Sequence, residues 1–307
     1  MRNAFANAFY DLAKQDDRIM LVVADITASA GVATFMKEHP ERFINVGVAE
    51  QAMISISAGL ALRGMIPFTY TIAPFTIYRP FEQVRVDCCY HHLPVRLVGV
   101  GAGVTYSTLG GTHHALEDLS VMGGIPGLTI YAPCDPAETA ALTLASARVE
   151  GPLYLRLGKV GEPDLTKEAP EPLVPGKIRT LKNGRDLAIV TLGPIARLAF
   201  EVARGLKEGG RADPAIFGIH CPKPLDREGL LEKVLRRFPR VLLLEEHVPH
   251  GGISSRVKEV AAEAGTANRF ATCTLRDEFI HVYGSHEDVL RAHGLDAASV
   301  LKRAKDL

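Results

Sequence analysis

Residues 43–51, FINVGVAEQ, run straight into AMISISAGLAL at 52–62. An apolar run of strand length that ends near a glycine and restarts as an apolar helix reads as a βα unit. Its apolar residues are continuous rather than alternating, which suits a strand covered on both faces of a parallel sheet. The same kind of run recurs on either side, as IMLVVAD (19–25), VRLVGVG (95–101), LTIYAP (128–133), DLAIVTLG (186–193), AIFGIH (215–220) and VLLLEEH (241–247). Amphipathic stretches at 3–15, 50–62, 136–148, 195–208, 226–238 and 252–264, several opened by Pro, Asp or Gly, supply the crossover helices. The chain therefore reads as α/β, with two doubly wound domains built on mainly parallel sheets.

A length of 307 residues fits two domains at about 150 residues each. The stretch 160–186, VGEPDLTKEAPEPLVPGKIRTLKNGRD, carries four prolines between 163 and 175 and no regular period. It reads as an extended, solvated connection. The division predicted is 1–165, a linker over 166–184, and a second domain over 185–307 with about five strands. Thirty-five Lys and Arg balance thirty-five Asp and Glu, so the net charge is zero and no overall field gathers nucleic acid or anionic lipid. The opening MRNAFANAFYDLAKQDDR lacks the apolar run of a signal peptide, and the expectation is a cytoplasmic protein. Five cysteines, an odd number without CxxC spacing, read as reduced and structural.

Glu50 stands at the start of the helix 50–62, where the helix dipole favours a carboxylate. Capping is the ordinary role for an isolated glutamate there, so context has to decide. That context is TYTIAPFTIYRPFEQVR (69–85), GGTHHALEDLSVMGGIPGLTIYAPCDPAET (110–139), GPLYLRLGK (151–159) and LLLEEHVPHGGISSRVKEVAAE (242–263). In this order the motifs resemble the pyrimidine-binding and C-terminal domains of transketolases and their thiamine-diphosphate relatives, over nearly the whole chain.

The resemblance implies that Glu50 hydrogen-bonds the aminopyrimidine ring nitrogen of thiamine diphosphate and that Phe75 stacks on that ring, with Ile72 where relatives often carry a second aromatic. Asp25, which closes the first strand run, is assigned with them to the cofactor. His113 matches a histidine that faces the reacting carbons, with His114 turned elsewhere. Arg2, Ser29 and Arg156 match positions that grip the far anion of a sugar, a task suited to guanidinium forks and a hydroxyl donor. The pair His91 and His92 has no acidic or cysteine partner at ligand spacing, so no metal is expected on this chain.

Two positions depart from the family. A usual histidine falls on Gly101 and a usual aspartate that reads a sugar hydroxyl falls on Leu109, while Tyr106 and its neighbours offer other contacts. The expected sugar is therefore atypical, since an acceptor at that point is gone. No GDG followed by about thirty residues and an Asn occurs, and that is the family's holder of the diphosphate and its metal. The resemblance then implies an N-terminal partner subunit that supplies this domain with Mg2+ or Ca2+, in an α2β2 heterotetramer. The leading reading is the β subunit of a split transketolase acting on an anionic sugar. A 1-deoxy-ketose-phosphate synthase-like enzyme, an α-keto-acid dehydrogenase β subunit and a non-catalytic assembly subunit stay open beside it.

Overall fold

Six strands of the N-terminal half, β1 (Ile19–Val23), β2 (Phe43–Asn45), β3 (Ile66–Ile72), β4 (Arg96–Val100), β5 (Thr129–Tyr131) and β6 (Leu153–Leu157), form one sheet in the order β2-β1-β3-β4-β6-β5. Every pairing in it is parallel. The structure is a computed structural model that describes residues 1–307 apart from Ala28, Val160 and Glu168. Strands β1, β4 and β6 are buried along their whole length, as their covered position in a helix-flanked sheet requires.

The five remaining strands are β7 (Arg179–Lys182), β8 (Leu187–Thr191), β9 (Pro214–Gly218), β10 (Arg240–Leu244) and β11 (Arg269–Cys273), in the order β11-β10-β8-β9-β7. Only β7 runs antiparallel to its neighbour. The strand number agrees with the sequence reading, but the boundary does not. Arg179–Lys182 falls inside the expected linker and is an edge strand of the second sheet. The connection ahead of it is extended and largely exposed, as expected, but it is tethered at a few points. Asp135 accepts from the N–H groups of Leu165 and Thr166 at 2.9 and 2.7 Å, and Arg179 pairs with buried Glu138 at 3.0 Å.

Strands β3 and β6 lacked a clean apolar run because Thr69, Thr71, Tyr154 and Arg156 interrupt them. These polar groups are buried, and partners in the fold satisfy several of them. Thr69 Oγ1 donates to the Arg96 carbonyl, and Tyr154 and Arg156 both donate to Asp118. The helix Arg2–Ala13 lies on the sheet through Phe5 and Phe9, with Phe5 stacked on Tyr70 at 5.4 Å and 5°. Each such buried ring contributes roughly 1.5–3 kcal/mol, and together they hold the start of this helix, with Arg2, at the sheet edge. Among the described residues no helix is long and apolar enough to cross a membrane.

Candidate functional site

The carboxyl ends of parallel strands open onto one edge, where α/β folds place their ligands. Ser29 follows β1, Glu50 follows β2, Phe75 follows β3, Tyr106 and His113 follow β4, and Lys159 follows β6. At the end of β2 the chain must turn sharply to deliver Glu50. Asn45 Oδ1 accepts from the N–H groups of Asp25 and Gly47, and Gly47 takes φ +70°, a conformation that costs glycine little. The helix Glu50–Leu62 then starts with Glu50 itself, whose side chain is 6% exposed.

Arg79 donates from Nη1 to Glu50 Oε1 at 2.8 Å, and its guanidinium lies 4.2 Å over the Phe75 ring. One flat group therefore spans the carboxylate and the aromatic face. The Arg79 side chain is 49% exposed, so it has solvent to swing into. A hollow of about 380 Å³ between Val48, Glu50, Ala52 and Arg79 adjoins one of about 320 Å³ that Phe75, Arg79, Thr112 and Phe279 line. Arg79 is the wall that the two share.

The His113 ring meets Phe75 edge-on at 5.1 Å and Tyr106 at 6.2 Å. Thr112 Oγ1 engages its Nδ1 at 2.9 Å, which leaves Nε2 as the ring nitrogen available to a ligand. Partial burial and then the Arg79 cation hold His113 below the ordinary histidine value, so near neutral pH it is an uncharged imidazole. His114 does not turn away from the site. It is buried and lines the second hollow, with neither ring nitrogen hydrogen-bonded among the described residues.

A second group gathers at Arg2. Its Nε donates to Tyr70 at 2.8 Å, its Nη2 donates to the Thr27 carbonyl, and its backbone N–H donates to the Lys159 carbonyl. Lys159 Nζ stands 4.7 Å over the Tyr106 ring, and Ser29 Oγ is buried without a partner among the described residues. Arg156 does not join this group. It is 2% exposed, donates from Nε to Asp118 at 2.6 Å and from Nη2 to the Glu246 carbonyl, and so is spent inside the fold. The cation near Arg2 is Lys159, which sequence reasoning passed over although it lies just past the end of the same strand.

Gly101 is glycine because Tyr106 fills its side-chain space. A Cβ at 101 would lie 2.1 Å from Tyr106 Cε2, and the backbone there has φ +87°. Leu109 is 50% exposed beside the site and presents no acceptor. Ile72 ends β3 and is half-buried, and Asp25 is exposed with φ +46° at the end of β1. Among the described residues no three of His, Cys, Asp or Glu group as a metal would need.

A further hollow, of about 590 Å³, lies elsewhere, at the seam between Thr105, Glu162, Arg197 and His286. Its two arginines are already paired, Arg197 with Glu201 and Glu287 and Arg291 with Asp288, so neither is a free charge for a ligand. Beside it Glu246 Oε1 accepts from the Val104 N–H at 2.6 Å and faces His286 Nε2 at 2.9 Å. The Glu246 charge raises His286 above the usual histidine value against the pull of burial.

The family model of the transketolase pyrimidine-binding domain matches residues 1–160, and that of the transketolase C-terminal domain matches 176–300. Over all 307 residues the chain is 34% identical to one of the subunits of the apulose-4-phosphate transketolase of Actinobacillus succinogenes, covering 98% of that protein. Over 86% of its length it is 34% identical to a 6-deoxy-6-sulfo-D-fructose transketolase subunit of a Clostridium species, covering 81% of that protein. A solved split-gene transketolase, an inactive β4 tetramer, superposes with a TM-score of 0.87 at 33% identity, over 99% of this chain and 96% of the other.

Proposed function

The chain belongs to the transketolase family, and we propose that it is the C-terminal (β) subunit of a split transketolase, which moves a two-carbon ketol unit from an anionic ketose to an aldose. The observation that carries this reading is the seat of Glu50 and Phe75, bridged by Arg79. A flat, N–H-bearing guanidinium already makes the two contacts that an aminopyrimidine needs, one to the carboxylate and one to the ring face. The residues therefore fit thiamine diphosphate, which when bound supplies the thiazolium carbon that takes up the ketol unit.

Glu50 holds a proton against the ring nitrogen from a largely water-free position at a helix start. Phe75 fixes the ring plane by stacking and excludes water from the Glu50 contact. His113, uncharged and oriented by Thr112, is placed to bond substrate oxygens or to carry a proton. Arg2, Lys159 and Ser29 hold the far anion of the sugar, Arg2 and Lys159 through charge and Ser29 through its hydroxyl. With Leu109 in place of an acceptor and Tyr106 in the space over Gly101, the sugar they select is an atypical one. The apulose-4-phosphate and sulfofructose named in the relatives belong to that class.

The diphosphate site and its Mg2+ or Ca2+ come with the N-terminal partner, in an α2β2 assembly. The hollow at Glu50 is lined by Val48, an apolar side chain 73% exposed that suits a covering chain. Five buried, unbridged cysteines suit a reducing compartment, and we place the enzyme in the cytoplasm. The test is to mix the chain with the partner that carries the diphosphate domain and assay ketol transfer from sugar phosphates and sulfosugars, with pyruvate as a competing donor. Turnover of anionic ketoses by the mixture alone is expected. Tight cofactor binding and turnover by this chain alone, or a preference for pyruvate, would overturn the reading.

A further inference from the structure

Tyr106 and His113 ride on a lobe that closes on itself at its neck. Gly103 and Ala115 form an antiparallel bridge, with the Ala115 N–H donating to the Gly103 carbonyl at 2.8 Å. The second domain grips this lobe at three places. Glu246, just past β10, accepts the Val104 N–H at 2.6 Å on one side of the neck. On the other side the Val248 N–H donates to the Leu116 carbonyl at 3.0 Å. At the tip Ser107 Oγ donates to the Gly284 carbonyl at 2.8 Å. Glu246 is only 4% exposed, and it fits so closely that a Cβ on Gly103 would lie 2.3 Å from its Oε1. The same oxygen meets His286, so a single carboxylate joins the lobe backbone to the helix His286–Ala292.

We infer that the C-terminal domain positions the substrate-facing lobe, with Glu246 as the positioning residue that acts through Tyr106 and His113. The inference rests on the transketolase reading for its catalytic consequence, but not for its structural one. A charged acceptor on a buried backbone N–H makes a stronger bond than a neutral one. Its loss frees the neck of a lobe whose tip carries the groups facing substrate. The carboxylate that does this follows a strand of the second sheet, whereas Glu50 and Phe75 follow strands of the first, so cofactor contacts and lobe contacts are separable.

Hydrogen exchange on the full chain tests the structural part without any activity. In Glu246→Ala, amides of 103–116 should exchange faster by about tenfold or more, while those of 50–62 keep their protection. In the assembled enzyme Glu246→Ala should lower kcat/KM for the sugar by roughly 10- to 100-fold and leave thiamine diphosphate affinity within about twofold. Glu246→Gln, whose amide oxygen can still accept from Val104, should recover most of that loss. Combined with His113→Ala, Glu246→Ala should add less than its full loss, because the part of its effect that runs through His113 is already gone. Unchanged exchange in the lobe, or losses that multiply fully with His113→Ala and extend equally to the cofactor, would overturn the inference. If the wild-type assembly shows no ketol transfer at all while the lobe still loosens, the functional reading fails and the positioning role stands.

Discussion

Replacing Arg79 with alanine should tighten, not weaken, the binding of thiamine diphosphate. On the proposed function the aminopyrimidine takes the place of the guanidinium, which lies 2.8 Å from Glu50 Oε1 and 4.2 Å over Phe75. Bound cofactor must therefore displace it. With the Arg79 side chain 49% exposed, the ion pair is screened and contributes about 0.5–1 kcal/mol. The contact with the Phe75 face adds about 0.5–1 kcal/mol. Displacement then costs roughly 1–2 kcal/mol, which converts to an affinity lower by about 5- to 30-fold than an unblocked site would show. Titration calorimetry of thiamine diphosphate into the assembled complex, wild type against Arg79→Ala, measures this directly. Arg79→Lys separates the two parts, because it keeps the charge and loses the flat plate. A weaker affinity in Arg79→Ala would refute the reasoning and make Arg79 a ligand of the cofactor instead of its stand-in.

Further outcomes follow from the geometry. Gly101→Ala should destabilise the chain by roughly 2–5 kcal/mol in denaturant unfolding, from the positive φ and from the Cβ driven into Tyr106, and a loss under about 1 kcal/mol would contradict the close packing. Lys159→Met should raise KM for the anionic sugar by about tenfold with little change in stability. Arg156→Met should instead cost about 3–5 kcal/mol of stability by stranding Asp118, and the reverse pattern would restore Arg156 as the anion ligand. The His286–Glu246 pair contributes stability fully below the unfolded histidine value of about 6.5 and loses it as pH rises through the higher folded value, with Arg197 opposing and Glu287 supporting the charge. The difference in unfolding free energy between wild type and His286→Gln should accordingly shrink from pH 6 to pH 9, and growth with pH would contradict the pairing.

Local pattern carried much of the fold. Runs such as IMLVVAD and VRLVGVG are legible because a strand buried on both faces has no polar position to confuse the period, and β1 and β4 are buried throughout. Strands β6 and β7 were not legible as strands, since Tyr154 and Arg156 find Asp118 from 36 and 38 residues away, and Arg179 finds Glu138 from 41. A polar residue reads as a surface residue until its distant partner is known. The same distance hid the centre of the site. Nothing in FTIYRPFEQVR shows that Arg79 reaches back 29 residues to Glu50, or that Glu246 reaches back 142 to Val104. The confusion of Arg156 with Lys159 has a local remedy, however. A cation within a wholly buried strand needs an internal acid, whereas one just beyond Gly158 stands at the strand's carboxyl end, where ligands bind.

The measurement that bears most directly on the whole account is ketol transfer by the assembled complex with Glu50→Gln. Glutamine keeps the size of the side chain and an acceptor oxygen but cannot hold a proton for the ring nitrogen. The account predicts turnover lower by about 10²- to 10⁴-fold, with the subunits still assembling and the melting temperature little changed. Turnover within a few-fold of wild type would mean that Glu50 caps a helix and does no chemistry, and would return the chain to a role in assembly alone.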